Sequence, residues 1–174
     1  MHKANKIFLL GFMGSGKSTT GKKLASHLKW TFIDLDEKIE NITGMKIRDI
    51  FSEKGEAFFR KTESEALQGI ASESNVVIST GGGTPCFGDN MDFMLRTGLT
   101  VYLRMTPARL KSRLADSSDH RPLLKDIGKE DLEEYIAGKL SEREKWYSRA
   151  EIIIDGFNTD FSVLYSSVKK LIKE

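Results

Sequence analysis

Along this chain, short apolar runs alternate with longer stretches in which apolar positions recur every three or four residues. The runs fall at residues 7–10, 31–33, 76–79, 100–103 and 151–154. They are too short for helices and dense in Ile, Val, Leu and Phe, the pattern of strands buried on both faces of a parallel sheet. The stretches between them read as helices. The first is predicted over 17–28. Ile39, Ile42, Ile47, Ile50 and Phe51 suggest one or two short helices broken at Gly44, and a longer one is predicted over 56–72. Thr106-Pro107 is a helix start, with Thr as N-cap and Pro in the first turn. A long helix carrying Arg143 precedes the last strand. Asn158-Thr159-Asp160 introduces a closing helix in which Phe161, Leu164, Val168 and Leu171 share a face. Strict β/α alternation of this kind predicts an α/β fold of three layers.

One stretch breaks the rhythm. Residues 115–129 are polar and contain Asp-Ser-Ser-Asp-His-Arg-Pro. They read as a surface loop or, in a phosphate-transferring enzyme, as a mobile lid. There is no internal repeat, linker or low-complexity tract, and 174 residues suit one domain spanning 1–174.

Composition narrows the function by exclusion. A net charge of +2 with no lysine- or arginine-rich block gives no footing for nucleic acid. The single cysteine, Cys86, rules out an internal disulfide and a cysteine-cluster metal site, and reads as a small buried apolar residue. No apolar run is long enough to span a membrane, and the polar N-terminus enters the first strand directly. The expectation is a cytoplasmic protein. With no extended apolar surface stripe, it is expected to be a monomer.

The chemistry begins at residues 11–18, Gly-Phe-Met-Gly-Ser-Gly-Lys-Ser, a complete G-x-x-x-x-G-K-S/T phosphate loop directly after the first strand. A strand feeding a glycine-rich turn into a helix aims backbone N–H groups and a helix N-terminus at one point, which suits a polyphosphate. Gly14, Ser15, Gly16, Lys17, Ser18 and Thr19 are thus nucleotide-binding candidates, with Lys17 reaching the β- and γ-phosphates and Ser18 the Mg²⁺. The second strand ends in Asp34-Leu35-Asp36. Its carboxylates lie at the carboxyl edge of the sheet, where ligands collect, and suit a metal and a substrate hydroxyl. Asp36 alone also reads as a helix cap. The third strand lacks an acidic residue at its end, so Asp34 is the better candidate for the metal shell. That strand runs instead into Gly81-Gly82-Gly83, where backbone N–H groups can approach a small polar ligand. Arg60 follows Phe58-Phe59, and by spacing it packs its stem there and pairs with Glu63. Arg143, by spacing alone, is a solvated charge.

Taken together these residues resemble the shikimate kinases, over about 7–154. The resemblance rests on the phosphate loop with Thr19, Phe32-Ile33-Asp34-Leu35-Asp36, Thr43-Gly44-Met45, Phe59-Arg60-Lys61-Thr62-Glu63, Ser79-Thr80-Gly81-Gly82-Gly83, Arg121-Pro122-Leu123-Leu124 and Arg143-x-x-x-Tyr147, all in order. It implies a nucleoside monophosphate kinase-like fold, a five-stranded parallel sheet in the order 2-3-1-4-5, with a substrate-binding region near 34–63 and a lid near 115–129. The implied reaction moves the γ-phosphoryl of ATP to the 3-hydroxyl of shikimate, with Mg²⁺ as cofactor. By position, Asp36, Arg60, Gly81, Gly82, Gly83 and Arg143 would hold shikimate. Lys17, Asp36 and Arg121 would be catalytic, with Lys17 and Arg121 neutralising the transferring phosphoryl group. Ser18 and Asp34 would hold Mg²⁺. Arg113, Arg121 and the loop at 156–159, with Asn158, would border the nucleotide, Arg109 competing with Arg113 at the adenine.

Two guanidinium groups suit a carboxylate, which arginine grips with paired hydrogen bonds. A gluconate kinase or nucleoside monophosphate kinase of the same architecture is the nearest alternative. A guanine-nucleotide switch would need an Asn-Lys-x-Asp motif, which the chain lacks. A degenerate, non-catalytic relative is disfavoured by the presence of Lys17, Ser18, Asp34, Asp36, Arg60 and Arg143.

Overall fold

A computed structural model describes residues 4–115, 124 and 127–172. Its five strands are β1 (Lys6–Leu10), β2 (Thr31–Asp34), β3 (Val76–Ser79), β4 (Leu99–Arg104) and β5 (Ile152–Asp155). They form one parallel sheet in the order β2-β3-β1-β4-β5. The described helices are α1 (Lys17–Leu28), α2 (Leu35–Thr43), α3 (Ile47–Glu53), α4 (Glu56–Gln68), α5 (Asn90–Thr97), α6 (Pro107–Ala115), α7 (Leu132–Tyr147) and α8 (Phe161–Lys169).

The two-residue period of the strands divides the core between two faces. Phe8, Leu10, Ile78 and Tyr102 point to one side, where they meet Leu35, Ile39, Phe59, Leu67 and Tyr147. Ile7, Leu9, Val77, Val101 and Leu103 point to the other, against Leu24 of α1 and Leu164 and Val168 of α8. β1 is central, and Ile7, Phe8, Leu9 and Leu10 are wholly buried, which is why it reads as an unbroken apolar run. A third cluster, Phe12, Met105, Leu110, Leu114, Leu124, Leu132 and Ile136, joins α6 to α7 beyond the strand ends.

Gly44 ends α2 in the left-handed region (φ 68°), as the predicted break requires. Thr106 receives the Arg109 N–H at 3.4 Å, and Asp160 caps α8 by accepting from Ser162 and Val163. Elsewhere the boundaries differ from the pattern. The helix predicted over 56–72 stops at Gln68, and Gly69–Ser72 closes it as a 3₁₀ turn. β5 begins one residue late, at Ile152: the N–H of Glu151 donates to the Thr100 hydroxyl at 3.1 Å. α5 was not legible at all: its buried residues are Asn90, Met91 and Met94, a short face that includes a polar side chain. Among the described residues no helix is long and apolar enough to cross a membrane.

Candidate active site

The carboxyl ends of β1, β2 and β3 converge, and the loops leaving them build one crevice. After β1 the chain turns through Gly11, Gly14 and Gly16, all with positive φ (149°, 83° and 91°), and enters α1. Lys17 is buried, its Nζ donating to the carbonyls of Gly11 and Phe12 at 2.8 and 3.0 Å, which holds the ammonium across the mouth of the loop. Ser15 Oγ is buried without a partner, and Thr19 is exposed on the first turn of α1.

Asp34 accepts from three donors. Its Oδ1 caps α2, accepting from the N–H groups of Asp36 and Glu37 at 3.0 and 3.3 Å. Its Oδ2 accepts from the Ser18 hydroxyl at 3.1 Å, and Ser18 also lies 3.3 Å from Ser79 Oγ. The helix cap considered for Asp36 therefore belongs to Asp34. Asp36 sits in the first turn of α2, accessible through the crevice mouth. Even so, the surrounding walls strip water from its carboxyl and, with the like charges of Asp34 and Glu63, push it up to about 6, against the pull of Lys17.

The glycine triplet packs beneath the two arginines and leaves no room for side chains. A Cβ on Gly82 would lie 3.1 Å from Arg143 Nη1, and one on Gly83 would lie 2.7 Å from Arg60 Nη2. None of the three has a positive φ, so glycine here answers a demand for space and not for an unusual backbone angle. Arg60 donates to Glu63 at 2.9 Å and to Glu56 at 3.3 Å, and its guanidinium lies 3.9 Å from the centre of the Phe87 ring. Glu63, 1% exposed, also accepts from the Thr84 hydroxyl at 2.7 Å. Burial pushes its carboxyl up, opposed by Arg60 and Thr84.

Arg143 is not the solvated charge its spacing suggested. Its Nη1 is buried with no hydrogen-bond partner, and its guanidinium carbon lies 5.2 Å from the centre of the Phe12 ring. The signal was present: Ile136, Leu140, Arg143 and Tyr147 recur at the spacing of one helix face, and Ile136 and Tyr147 are fully buried. Glu63 was noted only as a partner of Arg60. Thr84, Phe87, Asn90 and Tyr147 were assigned no task, because their contacts join distant parts of the chain.

On the other side of the phosphate loop, Arg113 donates to the carbonyls of Gly14, Gly156 and Phe157 at 3.2, 3.3 and 3.4 Å. Arg109 lies further out, paired with Asp155 at 3.1 Å. Asn158 is exposed in the same loop. Cys86 is half-buried, and burial pushes its thiol up to about 11, which leaves it unreactive. Arg121 and residues 116–123, 125 and 126 of the expected lid lie outside the described residues.

A parallel sheet ending in a phosphate loop, carboxylates beside it and paired guanidiniums over a glycine turn together have the layout of a phosphate-loop kinase. A family model described as Shikimate kinase matches residues 13–173, and the chain belongs to that family. A shikimate kinase of Bacteroides thetaiotaomicron is 45% identical over 155 residues, covering 89% of this chain and 87% of its own. The solved structure of the shikimate kinase from Acinetobacter baumannii in complex with shikimate superposes with a TM-score of 0.85 at 31% identity, covering 97% of this chain and 92% of that one. A gluconokinase from Sinorhizobium meliloti, at 18% identity and a TM-score of 0.56 over 97% of this chain and 91% of its own, shares the fold alone.

Proposed function

We propose that this chain transfers the γ-phosphoryl group of ATP to the 3-hydroxyl of shikimate, giving shikimate 3-phosphate and ADP. The observation that carries the reading is the buried, unpartnered Nη1 of Arg143 against Gly82, beside Arg60 on Gly83. An orphaned guanidinium donor is costly unless a ligand completes it, and a carboxylate does so with charge-assisted hydrogen bonds. Gluconate also carries a carboxylate, but membership of the shikimate kinase family supports shikimate as the acceptor.

In this reading Gly14, Ser15, Gly16 and Thr19 line the phosphates, and Lys17 leaves the loop carbonyls to meet the β- and γ-oxygens. Arg113, bridging the phosphate loop to residues 156 and 157, borders the nucleotide together with Asn158, and Arg109 is left to Asp155. Arg60, Arg143 and the glycine triplet hold the acceptor. Asp36 orients the 3-hydroxyl and takes its proton as the new O–P bond forms and the bond to the β-phosphate oxygen breaks. Arg121 is assigned to the charge on the transferring group.

Ser18 Oγ and Asp34 Oδ2 are hard oxygen ligands 3.1 Å apart, a pair that fits Mg²⁺, an ion that takes few protein ligands and completes its shell with phosphate and water. Bound there, Mg²⁺ supplies neutralisation of the polyphosphate charge. The test is ADP release with MgATP and, in parallel, shikimate, gluconate, AMP, CMP or no acceptor. Turnover with shikimate alone is expected. Turnover with another acceptor would overturn the roles of Arg60 and Arg143, and tight ATP binding without any acceptor-dependent turnover would point to a non-catalytic protein.

A further inference from the structure

The three carbonyls of the glycine triplet have different fates. Those of Gly81 and Gly83 are satisfied within the loop, by the N–H groups of Thr84 and Cys86 at 3.1 and 2.9 Å. The middle one, Gly82, turns outward and accepts from the hydroxyl of Tyr147 on α7. Tyr147 is fully buried, and its ring lies 4.9 Å from that of Tyr102. Arg143 stands one turn earlier on the same helix, and its Nη1 is the atom a Cβ on Gly82 would meet at 3.1 Å. So α7 contacts one glycine twice, through a phenol on its carbonyl and a guanidinium over its α-carbon. A phenylalanine would fill the same volume without burying a hydroxyl, so the hydroxyl is there for the hydrogen bond it makes.

From this we infer that Tyr147 is a positioning residue for the acceptor: by tying Gly82 to α7 it fixes the loop against which Arg143 presents its open donor. The inference deepens the shikimate kinase reading and rests on it. Tyr147 touches no reacting atom. Burial holds its phenol above the ordinary tyrosine range, so it remains a donor throughout the working range. The far end of the loop is tied separately, Asn90 Nδ2 donating to the Thr84 carbonyl at 2.9 Å, so releasing Gly82 loosens the middle of the loop and leaves its end anchored.

The test is Tyr147→Phe, with Tyr102→Phe as control. Tyr102 lies in the same aromatic pair, but its hydroxyl bonds Glu144 at 3.4 Å and not the loop. Tyr147→Phe is expected to raise KM for shikimate about 10-fold, the scale of one neutral hydrogen bond, with KM for ATP unchanged. Tyr102→Phe is expected to leave both within about twofold. Because Tyr147 acts through Arg143, Arg143→Ala/Tyr147→Phe is expected to bind shikimate no more weakly than Arg143→Ala. Calorimetric shikimate affinity per ATP-binding site keeps the comparison valid if a variant folds incompletely. An unchanged shikimate KM in Tyr147→Phe, equal losses for both substrates, or additive losses in the double variant would overturn the inference. If the wild-type chain does not use shikimate, the functional reading itself falls, and this inference with it.

Discussion

Among single residues, Asp36 carries the strongest electrostatic consequence. A carboxyl pushed up to about 6 from 3.8 binds its proton more tightly in the folded chain than in the unfolded one. The stabilisation this gives is complete below pH 3.8 and is lost as pH rises through about 6, so ionised Asp36 burdens the empty fold at neutral pH. Asp36→Asn should therefore raise the melting temperature at pH 7–8 and change it little near pH 4, while nearly abolishing turnover and leaving ATP affinity intact. Substantial residual turnover would mean that Asp36 orients the hydroxyl without taking its proton. For the wild type, kcat/KM for shikimate should fall as pH drops through about 6, where Asp36 takes up a proton. Arg60 gives a different signature. Arg60→Ala should weaken shikimate binding by roughly 1.5–3 kcal/mol, the range of a charged hydrogen bond, with ATP binding unchanged. It should also lower thermal stability, because Glu63 is 1% exposed and would keep only the Thr84 hydroxyl. Calorimetry with each substrate, alongside thermal melts, separates the two effects.

At the scale of elements, the join between β2 and α2 rests on one carboxylate that caps a helix and, in the proposed reading, also holds Mg²⁺. Asn caps a helix about as well as Asp. Asp34→Asn should keep the fold's stability while reducing Mg²⁺-dependent turnover. Asp34→Ala should do both harms, costing about 1 kcal/mol of stability from the lost cap. Equal activity in Asp34→Asn and wild type would remove Asp34 from the metal site. Elements also show what the sequence disclosed. The central strands β1, β3 and β4 were legible because they are buried on both faces, the edge strands β2 and β5 because short apolar runs still mark them, and the phosphate loop because its glycines and Lys17 are tied to one short geometry. α5 was hidden because it is a single short stretch whose fully buried residues, Asn90, Met91 and Met94, include a polar side chain. Arg143 shares the face of Ile136, Leu140 and Tyr147, which placed it toward the core, but the glycine turn it meets lies some sixty residues away and nothing local pointed to it. Asn90, reaching from α5 to the Thr84 carbonyl and accepting from Ser64 at 2.9 Å, is a long-range tie of the same kind.

For the whole molecule, ligand binding and stability are linked. MgATP at about 100 times its dissociation constant should stabilise the fold by about 2.7 kcal/mol, a rise of roughly 5–10 °C in melting temperature for a chain of this length. Shikimate should add its own increment in the wild type and very little in Arg143→Ala; an undiminished increment there would remove Arg143 from the acceptor site. Beneath this lies the way the two ligand cradles hang from neighbouring strands. The Leu9 carbonyl, two residues before the phosphate loop, accepts from both the N–H and the hydroxyl of Thr80, immediately before the glycine triplet, at 3.2 and 2.9 Å. A Cβ on Gly82 would already lie 3.5 Å from the Met13 nitrogen of the phosphate loop. In the proposed reading, donor and acceptor would meet at a spacing set by backbone register, so that the sheet itself would supply their proximity. If the arginines hold the acceptor from these buried positions, added salt should screen them little, and KM for shikimate should change only modestly with ionic strength.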